Sequence, residues 1–321
     1  MSAIHEPETG RNTEDGFTSL VVALDFEANG DRALPIARGL AELGGIPVEL
    51  LTVSSPHLTA DLDVFELQRR AADNGWPDNC YTIAHDNHPA QAIVAEVQRR
   101  DGALLVMATS AQPPLAGHLL GNVIEEVLEA IDQPVLLVGP NVPSSYVLRR
   151  PTLVCCVDDT DVAVASVPAI ARWVGTFDGG ETWVTEVIPT GSGAIRRAST
   201  ASAHVRSLAG LLTDQGLPAA WGVLCGDDAD ARLEEFGDHV YDPVFVATSV
   251  RWTDGRLHWR STAHQLVQRS TRPILLVPAR RTREAVKTSE KSDADVEAPA
   301  CPIRSDSAPD WESTSRGGLV S

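Results

Sequence analysis

The sequence predicts an α/β protein built from two successive copies of a doubly wound, parallel sheet. Short continuous apolar runs, such as those at 103–109 and 134–138, indicate strands that are covered by helices on both faces. Segments with apolar residues at helical spacing lie between these runs, and this alternation is typical of a parallel sheet. Three stretches recur in the same order 133 to 139 residues later, which indicates the duplication of a whole domain.

The first copy is predicted to contain five strands separated by four helices. The strands are predicted at 18–25, 47–53, 79–84, 103–109 and 134–138. The helices are predicted near 30–43, 60–74, 89–100 and 122–132. The last helix has a clear start, because Asn122 can cap it and Glu125 follows three residues later, as in a capping box.

The second copy repeats this pattern. Its strands are predicted near 152–158, 181–188, 219–225, 243–248 and 273–277, with helices between them. The predicted organisation is a disordered tail at 1–16, a first domain at 17–140, a linker at 141–150, a divergent second domain at 151–279 and a disordered tail at 280–321. The tails are polar and contain too few apolar residues to bury a core.

Composition argues against several classes of partner. The net charge of the 321 residues is −18, so the chain has no basic surplus for nucleic acid or for an anionic membrane. No apolar run approaches the roughly 20 residues that a spanning helix needs. The start of the chain lacks the order of a signal peptide, and the five cysteines form neither a CxxC pair nor a zinc spacing. We therefore expect a cytoplasmic protein, and we interpret the adjacent Cys155 and Cys156 as small core residues on opposite faces of a strand.

The distribution of reactive residues argues against an enzyme. The only lysines are Lys287 and Lys291, so the predicted domains contain no lysine for a Walker motif or a Schiff base. The chain also shows no Ser/His/Asp order and no Cys/His pairing that indicates a nucleophilic centre. We therefore expect no catalytic residues.

Two regions in each copy lie where open α/β sheets bind ligands, beyond the carboxyl ends of the strands. Asp25 and Asp158 end the first strands, and the loops 109–121 and 249–260 follow the fourth strands. The helix that begins at Asn122 offers free N–H groups and a positive dipole end, which suit an anion. The alternative is an ordinary helix cap with water on those groups, and the spacing alone does not decide between them.

The order of these blocks resembles the universal stress protein family. The resemblance lies in a strand that ends in Asp, in TVSS after the second strand, in MATS and LLGN around the long loop, and in QPVLLVGP after an amphipathic helix. It covers about 18–140 and, in a more divergent form, 151–279. It implies five parallel strands in the order 3-2-1-4-5 with helices on both faces. Many family members bind ATP, whereas others do not and act in stress responses.

In the ATP-binding members the long loop has the pattern Gly-x2-Gly-x9-Gly-Ser/Thr. The matching positions of the first copy are Ala108, Ala111, Gly121 and Asn122. Those of the second copy are Ala247, Val250, Arg260 and Ser261. Glycine lets the backbone adopt positive φ and approach a phosphate closely, so these replacements weaken the pattern, most strongly in the second copy.

The resemblance also assigns roles to residues at two strand ends. Asp25 and Asp158 match the aspartate that lies near the nucleotide. Val53 and Val187 match the residue beside the adenine, whose backbone reads the base. For Asp25, a turn or helix-capping carboxylate is an equally good interpretation. Three acidic residues, Asp158, Asp159 and Asp161, favour that second interpretation in the second copy, because they repel phosphate.

Three hypotheses follow. The first is a cytoplasmic stress-response protein that senses an adenine nucleotide weakly, with ATP and Mg²⁺ as the expected cofactors. Its site would be Asp25, Val53, Ala108, Ala111, Gly121 and Asn122. The alternative is a protein-interaction module with degenerate nucleotide sites, which the lost glycines and the negative charge favour. The third, a slow nucleotide hydrolase, lacks a candidate base or nucleophile.

The two copies are expected to pack as an intramolecular pseudo-dimer. The fifth strands, PVLLV and PILLV, would form the contact, because a long apolar strand edge has to be covered. Association of two such chains into a homodimer is left open by the sequence.

Overall fold

The computed structural model describes most of the two predicted copies. The described residues are 16–26, 30–55, 61–109, 122–157, 163–177, 181–191, 193–252, 257–258 and 261–281. The predicted tails lie outside these ranges, apart from residues 16, 280 and 281. The loop positions Ala111, Gly121 and Arg260 also lie outside them, as does Asp158.

The described strands form one continuous sheet. In chain order they are β1 Ser19–Ala23, β2 Val48–Ser54, β3 Tyr81–His85, β4 Ala103–Ala108, β5 Val135–Val138, β6 Thr152–Cys156, β7 Thr182–Ile188, β8 Ala219–Cys225, β9 Pro243–Trp252, β10 Leu257–His258 and β11 Ile274–Arg281. Their order across the sheet is β3-β2-β1-β4-β5-β11-β9-β6-β7-β8, and β10 pairs with β9 outside this path. An α/β fold with a large, mostly parallel sheet is therefore confirmed.

Helices connect the parallel strands, which cannot be joined by tight turns. They are α1 Ala33–Gly44, α2 Asp61–Asp73, α3 Pro89–Gln98, α4 Asn122–Ala130, α5 Val167–Thr176, α6 Ala194–Asp214, α7 Ala229–Gly237 and α8 Ser261–Arg269. Several ends have local causes. Gly45 closes α1 with a positive φ of 61°, and Pro89 opens α3 where a missing N–H costs nothing.

The strands of the two halves run in opposite directions. Neighbours are parallel from β3 to β5 and from β11 to β8, but β5 and β11 are antiparallel. The expected pairing of the fifth strands is thereby confirmed. The two sheets predicted from the sequence are nevertheless halves of a single sheet, because this pairing gives each edge the backbone partners that it would otherwise lack.

The junction of β5 and β11 is symmetric. Leu136 faces Leu275, and these residues are 139 positions apart, which is the offset between the two repeats in this region. The flanking pairs are Leu137 with Ile274 and Val135 with Leu276. A local two-fold relation therefore passes through the Leu136–Leu275 pair, as in an isologous contact between identical subunits.

The hydrophobic core forms two layers, one on each face of the sheet. Successive strand residues point to opposite faces, so Leu20 and Leu153 belong to one layer, whereas Val21 and Val154 belong to the other. Each layer contains residues of both halves. The halves are therefore joined through side chains as well as through the backbone of β5 and β11.

The segment between the halves is held against the second half. The backbone N–H groups of Arg149 and Arg150 donate to the Asp242 carboxylate at 2.9 and 3.0 Å. The Tyr146 hydroxyl donates to the Pro243 carbonyl at 3.1 Å. Asp242 has a φ of 42°, which is uncommon for a residue with a side chain and carries strain. These bonds order the predicted linker.

The first half also contacts the linker and the second half directly. The Phe17 N–H donates to the Thr176 hydroxyl at 2.7 Å, and the Phe17 and Phe177 rings stack with centroids 6.0 Å apart. Helix α1 approaches the linker so closely that a Cβ atom at Gly39 would lie 2.6 Å from the Leu148 carbonyl oxygen. Gly39 is therefore required by packing rather than by backbone conformation.

Strands β9 and β11 are longer than predicted. The sequence predicted 243–248 and 273–277, whereas the strands reach Trp252 and Arg281. They extend together, in register from Phe245 with Ile274 to Trp252 with Arg281, and β10 pairs with the other side of β9. Each strand thus supplies the other's hydrogen bonds, and residues 280–281 belong to β11 rather than to a tail.

The cysteines differ in their surroundings. Cys155 and Cys156 face opposite core layers, as predicted, and burial raises the pKa of the Cys155 thiol to about 12. Cys80 and Cys156 are half-buried thiols. Cys225, at the end of β8, is disulfide-bonded.

The contact at Gly39 generates a stability prediction. In an open helix Gly→Ala stabilises by about 0.5–1 kcal/mol, and Gly210→Ala in α6, where a Cβ meets nothing within 4 Å, should do so. Gly39→Ala should instead destabilise by about 1–3 kcal/mol, because the new methyl overpacks a backbone carbonyl. Urea unfolding of the two variants measures the difference. Equal stabilisation of both would contradict the close approach of α1 to the linker.

Candidate functional site

The first half places Asp25 at the carboxyl edge of the sheet, directly after β1. The Leu24 N–H donates to the Leu51 carbonyl at 2.8 Å, and the Thr52 hydroxyl donates to the Leu24 carbonyl at 2.9 Å. Thr52 is buried in β2. Leu24, the residue before Asp25, is thus hydrogen-bonded through both its N–H and its carbonyl group. This fixes the position of the backbone where Asp25 follows the sheet.

The chain turns sharply after Asp25. Phe26 has a φ of 60°, a left-handed conformation that a bulky residue adopts only where its surroundings impose it. The 3₁₀ turn Gly30–Arg32 then passes beneath the Asp25 carboxylate. A Cβ atom at Gly30 would lie 2.6 Å from Asp25 Oδ1, so a glycine is needed for the carboxylate to occupy this position.

A buried arginine supports this turn from α2. The Arg70 side chain is 6% exposed, and its guanidinium donates to Asp31 and to Glu66, both at 2.6 Å. The same guanidinium lies 5.0 Å from the centroid of the Phe26 ring. Arg69 and Arg70 together hold the pKa of the Glu66 carboxyl below its usual value. Arg70 therefore ties the Asp25 turn to α2 through the Asp31 carboxylate and the Phe26 ring, while Glu66 of α2 itself fixes the guanidinium.

Three of the predicted site positions lie on adjacent strands. Ala23 of β1 is in register with Leu51 of β2 and Met107 of β4. Val53 and Asp25, two residues further along their strands, therefore lie side by side, and Ala108 ends β4 next to them. Val53 and Ala108 are half-buried at this edge. The structure places these three residues at the same carboxyl edge of the sheet.

The start of the long loop carries a buried hydroxyl group. Thr109 follows Ala108, its N–H donates to the Val138 carbonyl at 2.9 Å, and its side chain is 1% exposed. Thr109 Oγ1 has no hydrogen-bond partner within the part of the chain that the structure describes, and the same holds for Ser54 Oγ at the end of β2. Such groups cost free energy until a partner satisfies them.

Helix α4 begins at Asn122, as predicted. Its backbone places a helix N-terminus after the long loop, with the orphan N–H groups that every helix start presents. Ala111 and Gly121 lie outside the described residues. The described part of the candidate site is thus Asp25, Val53, Ala108 and the backbone start of α4.

The second half does not repeat this arrangement. The predicted loop 249–260 begins inside β9, which continues to Trp252 and then pairs with β10. Val250, at a position where the ATP-binding pattern has glycine, pairs with Ala279 of β11 and His258 of β10. The prediction of a loop is wrong for 249–252 and 257–258, because the ladder between β9 and β11 extends past the point where β4 ends in the first half. The rest of the predicted loop lies outside the described residues.

Described residues at the second half's carboxyl edge line a small cavity. A cavity of about 40 Å³ lies there, lined by Val157, Val187 and Thr248 among others, and closed by α7 and α8. This volume holds a few water molecules and is far below the roughly 300–1,000 Å³ of small-molecule sites. Val187, predicted to lie beside an adenine, thus lines a space too small for one. The two carboxyl edges also face opposite ends of the sheet, since β5 and β11 are antiparallel.

The first half of the chain matches a known protein family. Residues 16–139 match the model of the universal stress protein family. These residues form a universal stress protein domain. The match ends at Gly139, directly after β5, so it does not extend to the second half.

Solved structures resemble the chain over both halves. A universal stress protein from Archaeoglobus fulgidus DSM 4304 superposes with a TM-score of 0.58 at 16% identity, over 81% of this chain and 98% of its own. A functionally unknown protein from Pseudomonas aeruginosa PAO1 superposes with a TM-score of 0.54 at 15% identity, over 83% of this chain and 94% of its own. At these identities the likeness shows the fold alone. The comparison with curated proteins found no match.

The described residues offer neither a cluster of metal-ligating side chains nor a membrane-spanning helix. No group of three or more His, Cys, Asp or Glu side chains within the described ranges could hold a metal ion. None of the described helices is long and apolar enough to cross a membrane.

Sequence reasoning missed the residues that build the Asp25 turn of the universal stress protein domain. In the sequence, Gly30 is only weakly indicated as a structural residue, as a glycine between a polar turn and a helix. Arg70 gave a stronger signal, because it shares its face of α2 with the buried residues Leu67 and Ala71. A charged side chain on an apolar helix face indicates a buried ion pair. Phe26 gave no signal.

The role of Arg70 generates a prediction with a matched control. Arg70→Met should destabilise the protein by about 2 kcal/mol, because two charged hydrogen bonds are lost and Asp31 and Glu66 are left facing each other. Arg69 is exposed and also pairs with Glu66, so Arg69→Met should leave the unfolding midpoint unchanged. Chemical unfolding monitored by circular dichroism distinguishes the two. Equal effects of the two changes would contradict the assignment of Arg70 as the anchor.

Proposed function

We propose that this chain is a tandem universal stress protein whose first domain binds an adenine nucleotide weakly and whose second domain has lost that capacity. The first domain would comprise 17–140, the linker 141–150 and the second domain 151–279. The observation that carries the proposal is the contrast between β4, which ends at Ala108, and β9, which continues to Trp252.

The tandem organisation is supported by symmetry. The strand order of the first half, β3-β2-β1-β4-β5, is mirrored in the second as β8-β7-β6-β9-β11. The sequence repeats fall on corresponding strands, and the junction is symmetric about Leu136 and Leu275. A duplication of one domain explains all three features.

The residues at the first carboxyl edge fit the adenosine part of a nucleotide. The Asp25 carboxylate can accept hydrogen bonds from ribose hydroxyl groups, and the backbone of Val53 would read the base. Thr109 Oγ1 is a buried hydroxyl in need of a partner. Ala108, Ala111, Gly121 and Asn122 would surround the phosphates, which the N-terminus of α4 favours electrostatically.

Apart from the N-terminus of α4, few groups near the site can stabilise the phosphates of a bound nucleotide. We therefore expect weak binding. Residues 109–121 contain no lysine or arginine, and the nearby guanidinium of Arg70 is already paired with Asp31 and Glu66. The net charge of −18 further disfavours a triphosphate. Mg²⁺ would supply charge neutralisation when it accompanies ATP. A stress-response role that senses cytoplasmic adenine nucleotides at high concentration is consistent with such a site.

The hairpin of the second half favours one other function, a protein-interaction module. Strands β9, β10 and β11 extend beyond β5 as a three-stranded ribbon that carries Arg251, Arg280 and Arg281 in an otherwise acidic chain. In that case the second half would bind a partner protein and the first domain would hold no nucleotide. The nucleotide measurement below separates the two functions.

Titration of the purified chain with Mg-ATP and with AMP tests the nucleotide site. We expect saturable binding by isothermal titration calorimetry below millimolar concentration. Asp25→Asn should weaken it about tenfold, because one charge-assisted hydrogen bond contributes about 1.4 kcal/mol. Asp158→Asn, the same change at the matching position of the second half, should leave binding unchanged.

Unfolding curves control for misfolding of either variant. No saturation at millimolar nucleotide would reject the nucleotide site and favour the interaction module. Equal weakening by the two substitutions would instead reject the assignment of binding to the first domain.

A further inference from the structure

Two large apolar side chains are exposed side by side on helix α2. Leu62 is 74% exposed and Phe65 is 62% exposed, and residues three positions apart are neighbours on a helix surface. Single exposed apolar side chains are common on soluble proteins, but an adjacent pair forms a patch that gains free energy when a partner removes it from water. This patch is therefore a candidate contact surface.

The patch belongs to a longer stripe along the helix, which we call the α2 stripe. Leu62, Phe65, Arg69 and Ala72 are all exposed, and they follow one another at intervals of three, four and three residues. This is the spacing of the a and d positions through which two helices pack in a coiled coil. The buried residues of α2 lie on the other side of the helix and pack onto the first half.

The matching helix of the second half has no such apolar pair. Helices α2 and α6 are each followed by a glycine of positive φ, Gly75 and Gly216, with a proline two residues later. Counted back from these glycines, the positions that match the α2 stripe are also exposed, and they are Ala203, Arg206, Gly210 and Thr213. The fold itself therefore does not require large apolar residues at these positions.

We propose that the α2 stripe is the contact surface of a homodimer, in which the α2 helices of two chains pack antiparallel about a two-fold axis. The occupant of the patch is thus a second copy of this chain. The proposal does not rest on nucleotide binding by the first domain.

The α2 stripe is complementary to itself in this orientation. Antiparallel packing places Leu62 opposite the partner's Ala72, and Phe65 opposite the partner's Arg69. A large side chain then meets a small one, and a guanidinium meets an aromatic ring. Each contact occurs twice because a two-fold axis relates the chains. The positive end of each helix dipole also lies beside the negative end of the other.

Charge disfavours the parallel alternative. Parallel packing would place the two Arg69 guanidiniums against each other, and like charges at an interface repel. In the antiparallel dimer Arg69 remains paired within its own helix, with Glu66 and Asp73, both at 3.0 Å. These carboxylates offset its charge and hold its side chain along the helix, so a cation can lie within the contact.

The size of the contact predicts a weak dimer. Helix α2 has 13 residues, which correspond to a length of about 20 Å. A pair of helices of this length buries less than the roughly 1,200–2,000 Å² of a stable interface. We therefore expect a dissociation constant on the order of 100 µM, so that the dimer forms only in concentrated protein.

Analytical ultracentrifugation of the full-length chain without nucleotide tests the proposal. Over about 10 to 500 µM protein, which brackets the expected dissociation constant, the average mass should rise from 34.3 kDa towards twice that value. Replacing both Leu62 and Phe65 by Ser should weaken the dimer at least about tenfold, because two apolar side chains lose their burial. Leu211→Ser, which changes an apolar residue of α6 that is 40% exposed, should leave the association unchanged.

A charge exchange tests the contact between Phe65 and the partner's Arg69. Phe65→Arg sets two guanidiniums against each other and should abolish the dimer. Adding Arg69→Phe to that variant restores a guanidinium opposite a ring, so association should return. The changed side chains are exposed, and circular dichroism checks that each variant keeps the original fold.

Three results would overturn the proposal. The first is a monomer at every concentration. The second is a dimer that the serine replacements at Leu62 and Phe65 leave unchanged, which would assign the association to another surface. The third is a failure of Arg69→Phe to restore association to Phe65→Arg. Because no nucleotide is present, these outcomes are separate from those of the nucleotide titration.

Discussion

The antiparallel pairing of β5 with β11 is the contact on which the rest of the structure depends. The paired residues of these strands, Val135–Leu137 and Ile274–Leu276, are apolar and fully buried, and each strand would be an exposed edge in an isolated half. Their pairing removes both edges at once and aligns the helix layers of the two halves into continuous cores. Because the pair is antiparallel, it also sends the carboxyl edges of the two halves to opposite ends of the sheet.

This separation allows the two carboxyl edges to differ. In the first half β4 ends at Ala108, and the edge is left to the Asp25 turn and the long loop. In the second half β9 and β11 continue to pair beyond β5 and turn the equivalent loop into a ribbon. The same fold thus presents a site of candidate nucleotide-binding residues at one end and a closed, hydrogen-bonded ladder at the other.

Specific interactions hold the Asp25 turn of the first half in its conformation. Phe26 adopts a left-handed backbone conformation that costs of order 1–3 kcal/mol. The hydrogen bonds of Leu24 and Thr52, together with the Arg70 pairs beneath the turn, offset that cost. The result is a carboxylate held against Gly30 at a defined position. Strain of this kind is found where a side chain must be aimed.

The sequence by itself determined the alternation of strands and helices, the repeat, the contact between the fifth strands and the placement of Asp25, Val53 and Ala108 at one edge. These features follow from local apolar patterns and from the rule that parallel strands end together. Only the tertiary structure decided that the halves share one sheet, that β9 outgrows its predicted end, and that Arg70 and Gly30 hold the Asp25 turn. The physical reason is that strand length and buried ion pairs depend on partners distant in the chain, which no local pattern of residues specifies.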